Sequence, residues 1–149
     1  YVPEYLEYLC SATGSIALYA LEKRHMVGLC INSIMGMGRR WDYIRPGRHP
    51  EQATQLLTAL ARVDSFAGAS FERILNDLAT RLPYGATVLA LTSRPNRAIY
   101  EALAGLRRSG RPTLLCTVAD EPPDVPAEIA SHHLGGRYEW EHLETLELA

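Results

Sequence analysis

The residues best placed to do chemistry lie where apolar runs of this sequence give way to turns. Leu91-Thr92-Ser93-Arg94 closes one such run just before a helical stretch. Two hydroxyls and a guanidinium therefore stand at a helix start, where the dipole and free N–H groups can hold an anion. Asn32 and Ser33 close a second run, and Asp120 follows a third. The plainer reading of Thr92 or Ser93 is an N-cap for the helix that begins at Pro95. Phosphate loops are missing: no GxxxxGK[ST] occurs, and Gly36-Met37-Gly38 is followed by Trp41 where a GxGxxG loop needs its third glycine. No GxSxG elbow is present. The five histidines show no ligand spacing, and His132 and His133, being adjacent, face opposite sides of a strand. Asp64, Asp77, Asp120 and Asp124 are scattered, so no acid/base pair can be assembled by spacing; Asp64 suits a helix cap. No catalytic residue and no cofactor is assigned.

The basic residues Arg39, Arg40, Arg45 and Arg48, interleaved with Trp41 and Tyr43, form the main charge asymmetry. They read either as an edge strand whose charges discourage pairing or as a docking surface for an acidic partner. Cys10, Cys30 and Cys116 form no CxxC pair and sit in apolar runs, which points to small core residues in a reducing compartment.

Apolar spacing predicts the elements that position these residues. Residues 3–24 read as a helix, with Pro3, Glu4 and Glu7 at its start and Lys23 and Arg24 at its end. Gly14 interrupts it and points to a close backbone neighbour. Residues 26–32 read as a strand, apolar on both faces and so expected in a sheet covered on both sides. Residues 41–45 read as a short edge strand. Helices are expected over 50–63, 70–82 and 95–109, and buried strands over 86–92 and 112–118. A proline-rich acidic loop over 119–126 leads to a weak strand near His132-His133-Leu134 and a helix over 139–146. Strands alternating with helices predict an α/β domain with a mostly parallel, doubly wound sheet and helices on both faces. Ligands of such sheets bind at strand C-terminal ends.

The chain has 149 residues, one domain's worth, with 47% hydrophobic and 21% charged residues. That composition excludes disorder as the main state. A net charge of −2 argues against a nucleic-acid binder working by phosphate neutralisation. No apolar run reaches the roughly 20 residues that span a bilayer. The chain begins at Tyr1 rather than Met, which leaves room for an upstream anchor or targeting segment.

The order of pieces resembles a known family. Residues 15–21 with Val27-Gly28-Leu29, Arg45-Pro46-Gly47-Arg48, Gln55-Leu56-Leu57, Leu60-Ala61-Arg62-Val63, residues 82–88, Thr92-Ser93 and residues 106–111 together resemble the bacterial domain-of-unknown-function family 58, which carries a von Willebrand factor type A-like domain. The resemblance covers about residues 5 to 120. It implies a doubly wound sheet, a cytoplasmic domain whose parent is anchored in the inner membrane, and a role as a non-catalytic partner or adaptor of a MoxR-type AAA+ ATPase. The reading from the other class is a small α/β enzyme or a nucleotide- or anion-binding domain using Thr92 and Ser93.

Type A domains hold a divalent metal through DxSxS, a Thr and an Asp. No DxSxS occurs in this chain. Ala69 or Ser70 stands at the Thr position, and Thr92-Ser93-Arg94 stands where Thr-Asp-Gly is usual. A hard cation wants oxygen ligands including a carboxylate, and Arg94 brings positive charge instead, so no metal is expected. The family's first strand would lie upstream. Without it, the strands over 26–32 and 86–92 either close up directly, share a strand with a second copy, or flank a strand supplied by the parent. The expectation is that the parent has the strand and that this chain, without it, self-associates. The docking candidates are therefore Asn32, Ser33, Ser70, Thr92, Ser93, Arg94, Arg39 and Arg40, with a protein partner and no nucleic acid.

Overall fold

The structure, a computed structural model, describes residues 3–32, 42–63 and 70–142. The chain forms two compact units. One is built from Cys10–Ser70, the other from Val2–Leu9 and Phe71–Ala149. Among the described residues no helix is long and apolar enough to cross a membrane.

In the first unit, the later turns of α1 (Pro3–Glu22) lead to β1 (Val27–Ile31), β2 (Asp42–Gly47) and α2 (Gln52–Ala61). The helix α1 stops with Arg24 in the left-handed region, φ 64°. Strand β1 corrects one expectation. Apolar on both faces, it was expected in the parallel sheet, yet it pairs antiparallel with β2 in a separate two-stranded sheet, Leu29 opposite Ile44 and Cys30 opposite Tyr43. A β-carbon on Gly28 would lie 2.6 Å from the Ile44 carbonyl oxygen, at the point where the register slips. Only glycine admits that close approach. The expected edge strand over 41–45 is present but runs on through Pro46, a residue tolerated only at an edge or bulge.

The buried Gln52 fastens this unit. Its side-chain amide donates to the Val27 carbonyl at 2.6 Å and to the Arg45 carbonyl at 3.0 Å, one on each strand. One side chain thus binds a backbone carbonyl on each strand. Gly14 is also corrected. A β-carbon there would meet only side-chain atoms of Leu57 and Leu60, at 3.5 and 3.6 Å, so no backbone approach requires glycine.

The second unit carries a three-stranded parallel sheet flanked by helices. Its elements are α3 (Phe71–Arg81), β3 (Val88–Thr92), α4 (Arg97–Arg108), β4 (Thr113–Val118), β5 (Ser131–Gly135) and α5 (Arg137–Glu141). The strand order is β3-β4-β5, parallel throughout. β4 is central, and Leu115, Cys116 and Val118 on it are wholly buried. Helix α4 turns Ile99, Leu103 and Leu106 inward at helical spacing. Each such side chain contributes about 1.5–3 kcal/mol by leaving water. Helix α3 turns Ile74, Leu75 and Leu78 inward in the same way. Arg111 donates to the Leu82 carbonyl through Nη2 at 2.7 Å, tying the end of α3 to the turn before β4. The first turns of α1 belong here too: the buried Tyr8 donates its hydroxyl proton to the Leu134 carbonyl and stacks on Trp140 at 5.6 Å. The helix expected over 139–146 starts earlier, at Arg137, and residues 143–149 lie outside the described residues.

Candidate functional site at the carboxyl end of the parallel sheet

Strands β3, β4 and β5 end side by side, and the register sets three polar residues in a row across them. Thr92 pairs with Thr117, and Thr117 with His133. Pairing residues share a face of the sheet, so one side carries two hydroxyls and an imidazole while Leu91, Cys116 and His132 take the other. Thr117 is 2% exposed, and its Oγ1 shares a hydrogen bond with His133 Nδ1 at 2.9 Å. A hydroxyl beside an imidazole is the pairing that activates a nucleophile. Here the burial of Thr117 keeps a substrate from its oxygen, and the bond serves to satisfy a buried hydroxyl.

The loops after the strands are pinned by one carboxylate. Asp120 Oδ1 accepts from the Arg137 backbone N–H at 2.9 Å, and Oδ2 accepts from Arg137 Nη2 at 2.6 Å and Nε at 3.1 Å. The backbone N–H of Asp120 donates to the Tyr5 hydroxyl oxygen at 3.0 Å. Hydrogen bonds from Arg137 hold the Asp120 carboxyl down at about 2, far below the usual carboxylate range. The close approach of this loop to the start of α5 needs Gly136, whose β-carbon would sit 2.6 Å from the Asp120 backbone nitrogen. Glu139 closes the corner by accepting from the Gly136 N–H at 2.7 Å, and that bond, first among its causes, lowers its own carboxyl pKa.

The loop after β3 departs from expectation at one point. Neither Thr92 nor Ser93 caps α4. The helix begins at Arg97, two residues later than expected, and Asn96 is its cap, accepting from the Ile99 N–H at 3.0 Å. The reason is spacing: an N-cap oxygen reaches the N–H two or three residues on, and only Asn96 stands at that distance. Thr92 Oγ1 instead accepts from the Arg94 N–H at 3.1 Å and folds its own turn. Ser93 is half-buried and Arg94 is exposed.

The remaining candidates are not gathered here. Asn32, half-buried after β1, and the exposed Ser70 before α3 belong to the first unit. Ser33, Arg39 and Arg40, along with Asp64 and Ala69, lie outside the described residues. Sequence reasoning missed Thr117, His133, Arg137, Glu139 and Tyr5. The signal available for two of them was Gly135-Gly136, a turn that brings the following residues back onto the strand ends. Among the described residues no group of three His, Cys, Asp or Glu side chains converges as a metal site would require. The chain matches no protein-family model, no curated protein and no solved structure.

Proposed function

We propose that this chain is a non-catalytic protein-interaction module of von Willebrand factor type A-like, doubly wound architecture, and that it docks a MoxR-type AAA+ ATPase. One observation carries the reading. The polar groups at the carboxyl end of the sheet are closed on one another: Thr117 on His133, Asp120 on Arg137, Thr92 on the Arg94 N–H and Asn96 on the Ile99 N–H. Among the side chains this frame presents to solvent are the exposed Arg94 and the 69% exposed ring of Tyr138. Arginine and tyrosine on a rigid support are the side chains that anchor protein interfaces. In this reading the domain works in the cytoplasm, its parent is held at the inner membrane from upstream, and nucleic acid is not a partner.

The test is a pull-down from lysate of the source organism, with and without ATP and Mg²⁺, read by mass spectrometry. Baits are the wild-type chain, Arg94→Glu and Tyr138→Ala. Nucleotide-dependent recovery of an AAA+ ATPase, reduced about tenfold or more by either variant, is the expected result. Recovery that ignores both variants removes this surface from the reading. No recovery, together with phosphate-induced protection of the Thr92 and Ser93 amides, replaces it with the anion-binding alternative.

A further inference from the structure

Strand β3 is an edge of its sheet, with β4 on one side and no strand on the other among the described residues. The backbone N–H of Val88 donates to the Pro112 carbonyl at 2.8 Å, so residues 88, 90 and 92 direct their peptide groups toward β4. Alternation then sends the N–H and C=O groups of Leu89 and Leu91 outward, where no backbone partner meets them among the described residues. The Leu89 side chain is 36% exposed beside them.

Edge strands ordinarily carry a device against pairing: a charge, a proline, a bulge or a covering element. The two edges of this sheet differ in that respect. β5 bears two histidines, shifts register against β4 and runs straight into α5. β3 reads Val-Leu-Ala-Leu-Thr, in regular register along its whole length, with no charge, proline or bulge. An edge so left open is suited to receive another strand.

We infer that β3 pairs antiparallel with β3 of a second copy of this chain, with Ala90 at the two-fold axis. A second copy of this chain offers a strand that fits. Centred on Ala90, Leu89 faces Leu91 of the other copy and Leu91 faces Leu89. The two outward peptide units on each strand then complete four N–H···O=C bonds, and the pattern is the same read from either copy, as a two-fold interface requires. The central pair is of the non-hydrogen-bonded kind, where Cα atoms approach to about 4.5 Å, and alanine is the small residue that such closeness favours. Leucines meet leucines on one face, which removes the exposed surface of Leu89 from water. The result is a continuous six-stranded sheet. A five-residue edge buries less than the roughly 1,200 Å² of standard interfaces, so the dimer is weak and concentration-dependent. The inference rests on the strand's geometry and not on which protein docks at the strand ends, and it concerns this chain without the first strand that the type A-like reading places upstream.

The test is sedimentation velocity across about a hundredfold range of protein concentration, together with amide hydrogen exchange at both extremes. The expected result is a monomer–dimer equilibrium. Exchange at Leu89 and Leu91 slows about tenfold or more at high concentration, while Val88, Ala90 and Thr92 stay protected throughout. Leu89→Lys places a charge on the pairing edge at an exposed position; it gives a folded monomer at every concentration. Leu89→Val, which suits a strand, keeps the equilibrium. A monomer at all concentrations overturns the inference. So does a dimer that Leu89→Lys leaves intact, or one in which exchange at Leu89 and Leu91 is unchanged.

Discussion

Replacing Gln52 tests whether one buried amide holds the two-stranded sheet together. Gln52→Ala removes the donor to Val27 O at 2.6 Å and to Arg45 O at 3.0 Å and leaves both carbonyls without it. Each lost bond costs about 1 kcal/mol net. Truncating a wholly buried side chain of this length adds about another 1 kcal/mol in lost packing. The sum is about 3 kcal/mol, or a fall in Tm of roughly 6–12 °C. Urea titration followed by hydrogen exchange at β1 and β2 measures it. A second variant separates bonding from volume. Gln52→Glu keeps the shape but sets a carboxylate against two carbonyl oxygens in a buried place, which raises its folded pKa above the unfolded value of about 4.3. A raised folded pKa means that this variant's stability is fully present below about 4.3 and is lost as pH rises through the folded value. A protonated Glu carboxyl has one O–H where the amide has two N–H donors, so Gln52→Glu should lie about 1 kcal/mol below wild type in acid and be far weaker at neutral pH. A loss below about 1 kcal/mol for Gln52→Ala, or a Gln52→Glu variant without this pH response, refutes the assignment.

Other outcomes follow from the same structure. Gly14→Ala places a methyl at ordinary contact distance from Leu57 and Leu60 within a helix, so it should stabilise the protein by about 0.5–1 kcal/mol in thermal unfolding; destabilisation would show that the space is not there. The Asp120 carboxyl, held at about 2 by Arg137, supplies its support above its unfolded value near 4 and loses it as pH falls through about 2. Carboxyl NMR shifts should follow that titration, and a midpoint near 4 would deny the Arg137 contact. Burial pushes the Cys116 thiol up to about 11 from 9.0, so at pH 8 the native protein holds about a hundredfold less thiolate there than an ordinary cysteine. Iodoacetamide labelling read by mass spectrometry should modify Cys116 only on unfolding, and prompt native labelling would contradict its burial.

The best-read part of the sequence was the run from β3 to β4. Strand, helix and strand were expected over 86–92, 95–109 and 112–118 and lie at Val88–Thr92, Arg97–Arg108 and Thr113–Val118. Strong periodicity and the flanking Pro and Gly residues carry that information locally. β1 shows the limit. Apolar residues on both faces report burial, and burial says nothing about the direction of the neighbouring strand, so an antiparallel partner read as part of a parallel sheet. The start of α4 was misread because Thr92, Ser93 and Asn96 all belong to the capping set, and only the backbone path decides among them. At the carboxyl end of the sheet, Thr92, Ser93, Arg94 and Asp120 were legible as strand ends. The residues that complete the arrangement were not: Arg137 reaches Asp120 across 17 positions and Tyr5 reaches it across 115. Such pairs are set by which strands lie together, which no local pattern states.

Tyr5 and Tyr8 have one more consequence. Their hydroxyls engage Asp120 and the Leu134 carbonyl, so a segment near the start of the chain is structural material of the parallel-sheet unit. That unit is discontinuous in sequence. A piece cut to begin at Phe71 would lack both tyrosines, and the β4–β5 loop and the last strand would each lose a fastening. The smallest piece that keeps these bonds must carry residues 3–9 as well, either through the full chain or by a circular permutation that joins them to the other end. During refolding the same bonds close loops of more than a hundred residues, so they form late, after β3, α4 and β4 have come together.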